Sequence, residues 1–443
     1  MTERTLPTTA TRSTLLIPFV LACAVIADRA QLGLSTGGRG ALPLLVFAAP
    51  LGAILAVAAY GPERSLRFLA HPIFVVGVLP YVALSAILPV LGVIFFGFPE
   101  RTLLSASDAT TAIAFLAIGA ALSTRDERSW TPWLFGAIVV QFAYSVGQAV
   151  YQARGPGWEL FAPFHSWDLS LQGLSGILVQ GRASGLYFNP NELGLWAGMA
   201  AVLAWVMLPP RLRFVAITMT VLTLLLSQSR GAIVAMACAL GAGVVLSVAR
   251  GRVSITSGTR GILTIGIVGL LVGAAALLIG LPDAAVERFG SLIAVLTQGP
   301  MADANLAGRL DYWSAVTALN SLYPLGTWGP PELLLGTAVD SSWFAAFAQG
   351  SVPYAAALGL LLISALSVGR FRYAQALRMI AVLVAVAGLT QTPFGYPSIA
   401  LFWVLLGAGL QSSATARATA RRSMRRPTEI GPAATTAATG RPT

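Results

Sequence analysis

The sequence predicts an all-α integral membrane protein with about twelve transmembrane helices. Of the 443 residues, 56% are hydrophobic and only 10% are charged, and the mean hydropathy is +0.76. A soluble protein of this length would carry about 25% charged residues. Apolar runs near the ~20 residues needed to cross a bilayer recur along almost the whole chain. The short connectors between these runs hold most of the arginines.

The apolar runs define the predicted spans. The first run ends at Ala27-Asp28-Arg29 rather than at a small-residue cleavage site, so we expect a retained first span instead of a signal peptide. The predicted spans lie near residues 14–28, 41–60, 72–96, 105–122, 132–151, 190–208, 212–228, 231–249, 262–281, 342–367, 377–393 and 395–410. A tight Pro-Gly-Pro turn is expected to join the last two.

Three polar segments stand apart from the short connectors. Residues 1–410 form the predicted membrane domain, which carries two outer loops at about 152–189 and 282–341. Long loops of this kind are often functional lids or binding loops. Residues 411–443 form a basic cytoplasmic tail that we expect to be disordered and to rest on anionic headgroups.

The distribution of positive charge predicts the orientation. The net charge is +11, and every basic side chain other than histidine is arginine. With the N-terminus inside, each inner connector holds at least two arginines, as the positive-inside rule requires. Both termini are therefore expected to be cytoplasmic, with the largest loop, between spans 9 and 10, outside. The same distribution argues against nucleic-acid binding, because the charges follow the connectors.

Nothing in the sequence indicates a metal or another cofactor. Cys23 and Cys238 lie inside apolar runs, where cysteine is often a small buried hydrophobe. His71 and His165 are far apart, and no His/Cys cluster has metal-ligand spacing. No Walker motif, dinucleotide-binding glycine motif or HExxH helix is present. We expect an activated substrate or a gradient, rather than bound ATP, to supply energy.

Three outer arginines are the first candidate site residues. Arg182 lies in GRASGLYFNPNELGLWAG, Arg230 in LLLSQSRGAIVAM between two spans, and Arg309 in GRLDYW within the largest loop. If their side chains converge, they form a cationic pocket that suits a lipid-linked pyrophosphate, because guanidinium groups bind phosphate oxygens in bidentate fashion. The alternative for each is an interfacial arginine that snorkels.

The segment FNPNELG begins the sixth predicted span. Asn189, Pro190 and Asn191 predict a turn, with Asn191 as a candidate N-cap and Glu192 in the first helical turn. A negative charge is favoured there by the helix dipole. Asn189, Asn191 and Glu192 are equally candidates for substrate binding, and Glu192 is a candidate partner of one of the arginines.

Asp340 precedes the tenth predicted span in AVDSSWFAAFAQG. The position predicts an N-cap, but a carboxylate there is also a candidate base that accepts a proton from a sugar hydroxyl. Asp311, Asp168 and His165 are weaker candidates for the base. Around Asp311, Tyr312 and Trp313 are candidate substrate-binding aromatics, although aromatic residues are expected at a membrane interface in any case.

Four segments together resemble a known family. GRASGLYFNPNELG, LLLSQSRGAIVA, GRLDYWSAVTALNSLYPLGTWG and VDSSWFAAFAQGSVPYAAALG occur in the order and spacing of the O-antigen ligase and O-antigen polymerase superfamily of bacterial membrane glycosyltransferases. Each segment alone is a weak signal, and the resemblance covers about residues 180–365. It implies a multi-pass protein of the bacterial cytoplasmic (inner) membrane that takes part in assembling a surface polysaccharide.

The resemblance also implies a mechanism. A glycan on a polyprenyl pyrophosphate is presented on the outer face, and a hydroxyl of a second glycan or lipid-linked glycan attacks its anomeric carbon. No cofactor is implied, and other polysaccharide-assembly proteins are expected partners. By motif position, Arg230 and Arg309 match the residues that stabilise the leaving pyrophosphate, with Arg182 as a third.

The chain departs from the ligase pattern at one position. Ligases carry a histidine, then a small polar residue and, after nine further residues, a glycine. With Gly350 fixing this register, Val339 stands at the histidine position and Asp340 follows it. Polymerase-like relatives often lack the histidine, so the resemblance implies a polymerase-like member in which Asp340, or no residue, acts as base.

Two other function classes remain open on the sequence. Twelve spans also suit a transporter of an ion or of a lipid-linked sugar, which should place charges near the bilayer midplane. A non-catalytic scaffold of a polysaccharide-assembly complex would explain the missing histidine. The clustering of charge at the outer ends of the predicted spans favours chemistry at the membrane surface.

Overall fold

The computed structural model is all-helical apart from one pair of two-residue strands in the part of the chain that it describes. Those strands, β1 (Gln31–Leu32) and β2 (Leu42–Pro43), pair antiparallel. The structure describes residues 9–26, 31–32, 42–43, 45–123, 129–151, 182–187, 189–249, 287, 290–291, 294–295, 297–335, 340–369, 371 and 373–425.

Fourteen α-helices lie in this described part. They are α1 (Thr9–Ile26), α2 (Leu45–Tyr60), α3 (Pro62–Leu66), α4 (Leu79–Phe96), α5 (Ser107–Leu122), α6 (Thr131–Tyr151), α7 (Pro190–Met207), α8 (Pro210–Ser227), α9 (Arg230–Ala249), α10 (Ala304–Leu322), α11 (Glu332–Leu335), α12 (Ser342–Ser367), α13 (Ala374–Ala387) and α14 (Ala400–Arg425). Short 3₁₀ helices span Arg67–Ala70, Glu100–Ala106, Pro300–Ala302, Pro393–Gly395 and Pro397–Ile399, and a π turn (Phe74–Val78) leads into α4.

Eleven of the twelve predicted spans coincide with a helix. The remaining one, near 262–281, lies outside the described residues. Among those residues, five helices are long and apolar enough to cross a membrane: Phe74–Phe96, Thr131–Val150, Pro210–Ser227, Arg230–Val248 and Ser342–Ser367. Shorter apolar helices occur at Phe47–Tyr60, Ser107–Leu122 and Ala374–Ala387. The all-helical class is confirmed, and the number and orientation of the spans stay a prediction.

The outward faces of these helices are apolar. Ile54 on α2, Ile94 and Phe95 on α4, Val245 on α9 and Ile363 on α12 are all exposed. By contrast, α7 is surrounded by its neighbours, with Leu193 through Ala204 buried without interruption. Large apolar side chains that face outward in such numbers mark a surface that water does not cover. The fold is therefore that of a membrane protein.

Local sequence accounts for the helix ends near the site. Pro190 and Pro210 occupy the first positions of α7 and α8, where proline loses no helical hydrogen bond. Helix α4 ends at Gly97, which has a φ of 64° and donates its N–H to the Gly92 carbonyl.

Two glycines allow α5 and α14 to cross in backbone contact. A Cβ atom at Gly119 would lie 2.0 Å from the Val404 carbonyl oxygen, and one at Gly407 would lie 2.1 Å from the Leu116 carbonyl oxygen. Small residues let helices in lipid approach closely enough for dense packing. This crossing fixes the C-terminal half of α5 against α14, while Asp108 lies in the first turn at the other end of α5.

The C-terminal end differs from the prediction in two ways. Helix α13 ends at Ala387 and α14 begins at Ala400, so the connection at 388–399 is longer than the expected Pro-Gly-Pro turn and contains two 3₁₀ turns. Helix α14 also continues to Arg425, past the predicted end at 410. The alanines and arginines of this segment are strong helix formers, which explains the continuation. Residues 426–443 of the predicted tail lie outside the described part.

We predict that Gly407→Ala lowers the thermal unfolding temperature of the purified protein, because even one methyl group meets the Leu116 carbonyl and forces α5 and α14 apart. Gly136→Ala on α6 is the matched control, since a Cβ there meets nothing within 4 Å. We expect the control to be unchanged or slightly more stable because alanine favours helix. Equal losses in both variants would contradict the close crossing.

Candidate functional site

Arg230 and Arg309 line one cavity of about 290 Å³. The two side chains come from the first turn of α9 and from α10, which are far apart in sequence. The other lining residues are mainly apolar: Gly231, Val234, Val295, Asp303, Leu306, Val386, Leu389 and Thr390. The cavity therefore combines two guanidinium groups with hydrocarbon walls.

The position of Arg230 depends on a tight turn between α8 and α9. Gln228 adopts a φ of 50°, which reverses the chain within two residues. Ser229 Oγ then accepts a hydrogen bond of 3.1 Å from Gln391 Nε2. The next residue, Gly231, packs so closely that a Cβ there would lie 2.3 Å from Thr390 Oγ1. These contacts hold the start of α9 against the segment that follows α13.

Arg230 is bound by a buried carboxylate. Its guanidinium forms an ion pair with Asp303 and donates a hydrogen bond to Ser291. Asp303 is also the N-cap of α10, where Oδ1 accepts the Leu306 N–H at 2.8 Å. Burial alone raises the pKa of this carboxyl, but the hydrogen bonds from Arg230, Leu306 and Ser291 outweigh burial and lower the pKa to about 2. The pair is thus fixed and charged.

Arg309 is held more loosely. Its Nη2 donates to Asp340 Oδ2 at 3.2 Å, and the Asp340 side chain is 54% exposed. An ion pair this exposed contributes little, about 0–1 kcal/mol. The Arg309 Nε is buried and has no hydrogen-bond acceptor among the described residues. An anionic ligand that enters the cavity would therefore find N–H donors on the Arg309 guanidinium that are not yet hydrogen-bonded.

Arg182 does not line the cavity. Its Nε donates to the Ser227 carbonyl at 3.0 Å and its Nη2 to Asn191 Oδ1 at 2.8 Å. These bonds join the segment before α7 to the end of α8. The three predicted arginines thus divide into two that share the cavity and one that supports the turn leading to Arg230.

The segment after Arg182 is buried and held by α6. Gln148 Oε1 accepts the N–H groups of Ser184 and Gly185 at 2.9 and 2.8 Å, and Gln148 Nε2 donates to the Gly185 carbonyl. Gln141 Oε1 accepts the Leu186 N–H at 3.0 Å. Neither glutamine was among the predicted site residues, although two polar residues seven positions apart on one face of an apolar helix are a usable signal.

At the start of α7 the predicted cap is wrong by two residues. Asn189, rather than Asn191, is the N-cap, and its side chain accepts the Asn191 N–H at 2.8 Å. The reason is Pro190, which is suited to the first helical position and so places the cap before it. The Asn191 side chain is then available to Arg182. Glu192 lies in the first turn, as predicted, and is buried.

Asp340 is not the N-cap of α12. Ser341 caps that helix, with its Oγ accepting the Phe344 N–H at 3.4 Å and donating to the Gly388 carbonyl at 2.9 Å. The next N–H, from Ser342, is directed at the carbonyls of Gly388 and Gln391, both at 2.9 Å. Because the helix starts one residue later than the cap prediction required, the Asp340 carboxylate turns to Arg309.

The remaining predicted residues do not join the cavity. Asp311 and Tyr312 are exposed on α10, and neither lines the cavity. The Trp313 ring stacks on Phe344, with centroids 4.7 Å apart, and thereby packs α10 against α12. His165 and Asp168 lie outside the described residues. Asp303 and Ser291, which bind Arg230, were missed because only the folded chain brings residues this distant together.

We predict that Asp303→Asn destabilises the protein by about 2 kcal/mol near neutral pH, as the lowered pKa implies. A carboxylate with a depressed pKa stabilises the fold above its unfolded pKa of about 4 and loses that effect as pH falls towards 2. The difference in unfolding temperature between the wild type and this variant, in detergent, should shrink between pH 4 and pH 2. Asp311→Asn, on the exposed face of the same helix, should match the wild type throughout. A difference independent of pH would argue against the ion pair.

Comparison with models of protein families gives no match, and comparison with curated proteins gives none. The resemblance to the O-antigen ligase and polymerase superfamily therefore depends on the four segments in the sequence. The function has to be argued from the cavity itself.

Proposed function

We propose that the protein is a membrane glycosyltransferase that polymerises or transfers a polyprenyl-pyrophosphate-linked oligosaccharide during assembly of a surface polysaccharide. The observation that carries the proposal is the meeting of Arg230 and Arg309 in one apolar-walled cavity. In this proposal the twelve spans have both ends in the cytoplasm, and the cavity opens near the outer face of the bacterial cytoplasmic membrane.

The composition of the cavity suits an amphiphilic anion. Guanidinium groups bind phosphate oxygens in bidentate fashion, and hydrocarbon walls suit the first isoprene units of the carrier. A volume of about 290 Å³ is near the lower end of small-molecule sites, which are roughly 300–1,000 Å³. The cavity would thus enclose the pyrophosphate and the carbons beside it, while the polyprenyl tail stays in the bilayer.

The two arginines are suited to different tasks. Arg230 is fixed by the buried Asp303, so its charge is already in place when the leaving group forms. The exposed bond from Arg309 to Asp340 is easily exchanged for a phosphate oxygen. Binding of the donor would then release the Asp340 carboxylate within reach of the same site.

The reaction follows from this exchange. A hydroxyl oxygen of the acceptor glycan attacks the anomeric carbon of the donor, and the bond between that carbon and the pyrophosphate oxygen breaks. The electron pair leaves with the lipid pyrophosphate, where Arg230 and Arg309 stabilise the growing negative charge. The hydroxyl proton passes to the freed Asp340. Arg182, Asn189, Asn191 and Glu192 act on the framework that positions Arg230.

The placement of charge supports surface chemistry over transport. Asp108 and Glu192 lie in the first turns of α5 and α7, and Arg230 lies in the first turn of α9. A transporter is expected to concentrate ionisable groups near the bilayer midplane. Among the described residues that line the cavity, Arg230 and Asp303 instead lie at helix ends, and Arg309 lies in the second turn of α10.

We predict that Arg230→Ala or Arg309→Ala, with the protein still present in the membrane, removes long surface polymer and lowers transferase activity about 100-fold or more. Arg213→Ala is the matched control. That arginine hydrogen-bonds the Leu208 carbonyl and stacks over Trp205 near the start of α8, at the opposite end of that helix from the SQSR turn. The measurement is the pool of polyprenyl-linked glycans together with the surface polysaccharide.

The outcomes separate the alternatives. Accumulation of single repeat units on the lipid, with loss of long polymer, supports a polymerase. Accumulation of finished long chains on the lipid supports a ligase despite Val339. If both pools match those of the Arg213→Ala strain, the enzyme proposal fails and a transporter or scaffold is the better reading.

A further inference from the structure

A second cavity, of about 280 Å³, lies between α4, α5, α12 and the 3₁₀ turn at Pro393–Gly395. Its lining contains more polar groups than that of the arginine cavity, and none of its described lining residues is basic. Thr392 lines it, whereas Thr390 lines the arginine cavity. The two cavities therefore border opposite parts of one short segment after α13.

Helix α12 is broken where it passes this cavity. Gly350 and Ser351 leave helical geometry, and Ser351 has φ 54° and ψ −152°, a region essentially confined to glycine. A Cβ at Gly350 would lie 2.6 Å from the Tyr354 Cβ and 2.7 Å from Leu88 Cδ1. The break therefore brings the second half of α12 tightly against α4.

The broken helix is capped by another part of the backbone. The N–H groups of Thr327 and Trp328 donate to the carbonyls of Ala348 and Gln349 at 2.8 and 2.9 Å. Gly326, with φ 88°, allows this approach, because a Cβ there would lie 2.4 Å from the Gln349 oxygen. Irregular backbone within a membrane domain persists only where it is buried in protein or lines a cavity. Strained backbone held in this way is typical of ligand sites.

Aromatic rings and hydroxyl groups form one wall of the cavity. Tyr81 stacks on Tyr354, with ring centroids 5.5 Å apart, and contacts Phe394 at 5.2 Å. The Tyr354 hydroxyl shares a 2.8 Å hydrogen bond with Ser85 Oγ. The Phe394 ring is half-buried, so part of it is open to a ligand. A wall that alternates ring surface and hydroxyl groups matches the alternating C–H faces and hydroxyls of a sugar.

Asp108 and Gln349 supply hydrogen-bonding groups to the same cavity. Asp108 lines the cavity, and among the described residues its side chain forms no hydrogen bond or ion pair. The Gln349 side chain likewise has no hydrogen-bond partner there. A carboxyl group accepts hydrogen bonds from hydroxyl groups, and a cavity whose described lining has no cation offers an anionic ligand no ionic partner. The ligand that satisfies both side chains is neutral and rich in hydroxyl groups.

From these observations we propose that the second cavity is a binding site for a neutral sugar, held by the Asp108 carboxylate, the Gln349 amide and the rings of Tyr354 and Phe394. The site is separate from the arginine cavity, and the inference does not depend on the proposed transferase activity. The two cavities have complementary preferences: one takes an anionic head group on a lipid, and the other takes an uncharged polyol.

The test is saturation-transfer difference NMR on the full-length protein in lipid nanodiscs. Maltoside detergents are avoided because their head group is itself a sugar. The probes are free glucose, galactose, mannose and N-acetylglucosamine, with glucuronate as the anionic counterpart. We expect at least one neutral sugar to bind and glucuronate to bind more weakly than glucose. Asp108→Asn should lower the affinity for the neutral sugar about tenfold, because an amide N–H group replaces one of the two carboxyl oxygens and a hydrogen-bond acceptor is lost.

Two further variants keep the test decisive if Asp108→Asn unfolds. Phe394→Leu removes one aromatic ring from the partly exposed 3₁₀ turn and should weaken sugar binding. Tyr354→Phe keeps the ring that stacks on Tyr81 but removes the hydroxyl group that bonds to Ser85. Asp311→Asn removes an exposed carboxylate elsewhere and should bind as the wild type does. The proposal is overturned if no sugar binds, or if the folded cavity variants bind unchanged. It is also overturned if Arg230→Ala abolishes binding, since the sugar would then occupy the arginine cavity.

Discussion

Backbone polar groups in the apolar interior need partners within the protein, and the position of the candidate site depends on how this chain supplies them. Gln141 and Gln148 satisfy the buried segment before α7, and the Gly326–Trp328 backbone satisfies the break in α12. The N-terminus of α12 meets the carbonyls of Gly388 and Gln391, while the Gln391 side chain reaches Ser229. These bonds bring the starts of α9 and α12 to the end of α13, and the two cavities form on either side of that junction.

The charged groups at this junction differ in how firmly they are held. The buried pair of Arg230 and Asp303 is part of the framework, because α10 is capped by the same carboxylate. The pair of Arg309 and Asp340 is open to water and costs little to break. A site that must bind an anion and then release it benefits from this combination. One charge is preorganised, and the other is exchanged with each ligand.

The sequence predicted the helices well and the contacts between them poorly. Apolar runs such as 342–367 have the length of a span, so the helices coincide with them closely. The choice of Asn189 over Asn191 as cap is a shift of two residues set by Pro190, and the choice of Ser341 over Asp340 is a shift of one residue set by the carbonyl of Gly388. The ion pair of Arg230 with Asp303 and the hydrogen bonds from the glutamines of α6 join distant parts of the chain, and Asp108 shares a cavity with residues of α4 and α12. A single sequence contains no signal for such distances, and polar residues in apolar runs gave the nearest indication.

The backbone crossing of α5 and α14 has a consequence for tracing the ancestry of this chain. Substitution at most lipid-facing positions costs little, so sequence identity in such a protein decays quickly. Gly119 and Gly407 are different, since each faces a carbonyl oxygen of the other helix at a distance that admits no side chain. Gly326 is constrained in the same way by the Gln349 carbonyl. Distant homologues should therefore retain these glycines after most of the apolar sequence has diverged. A search that gives these positions extra weight should detect more distant homologues than a search that relies on hydrophobicity.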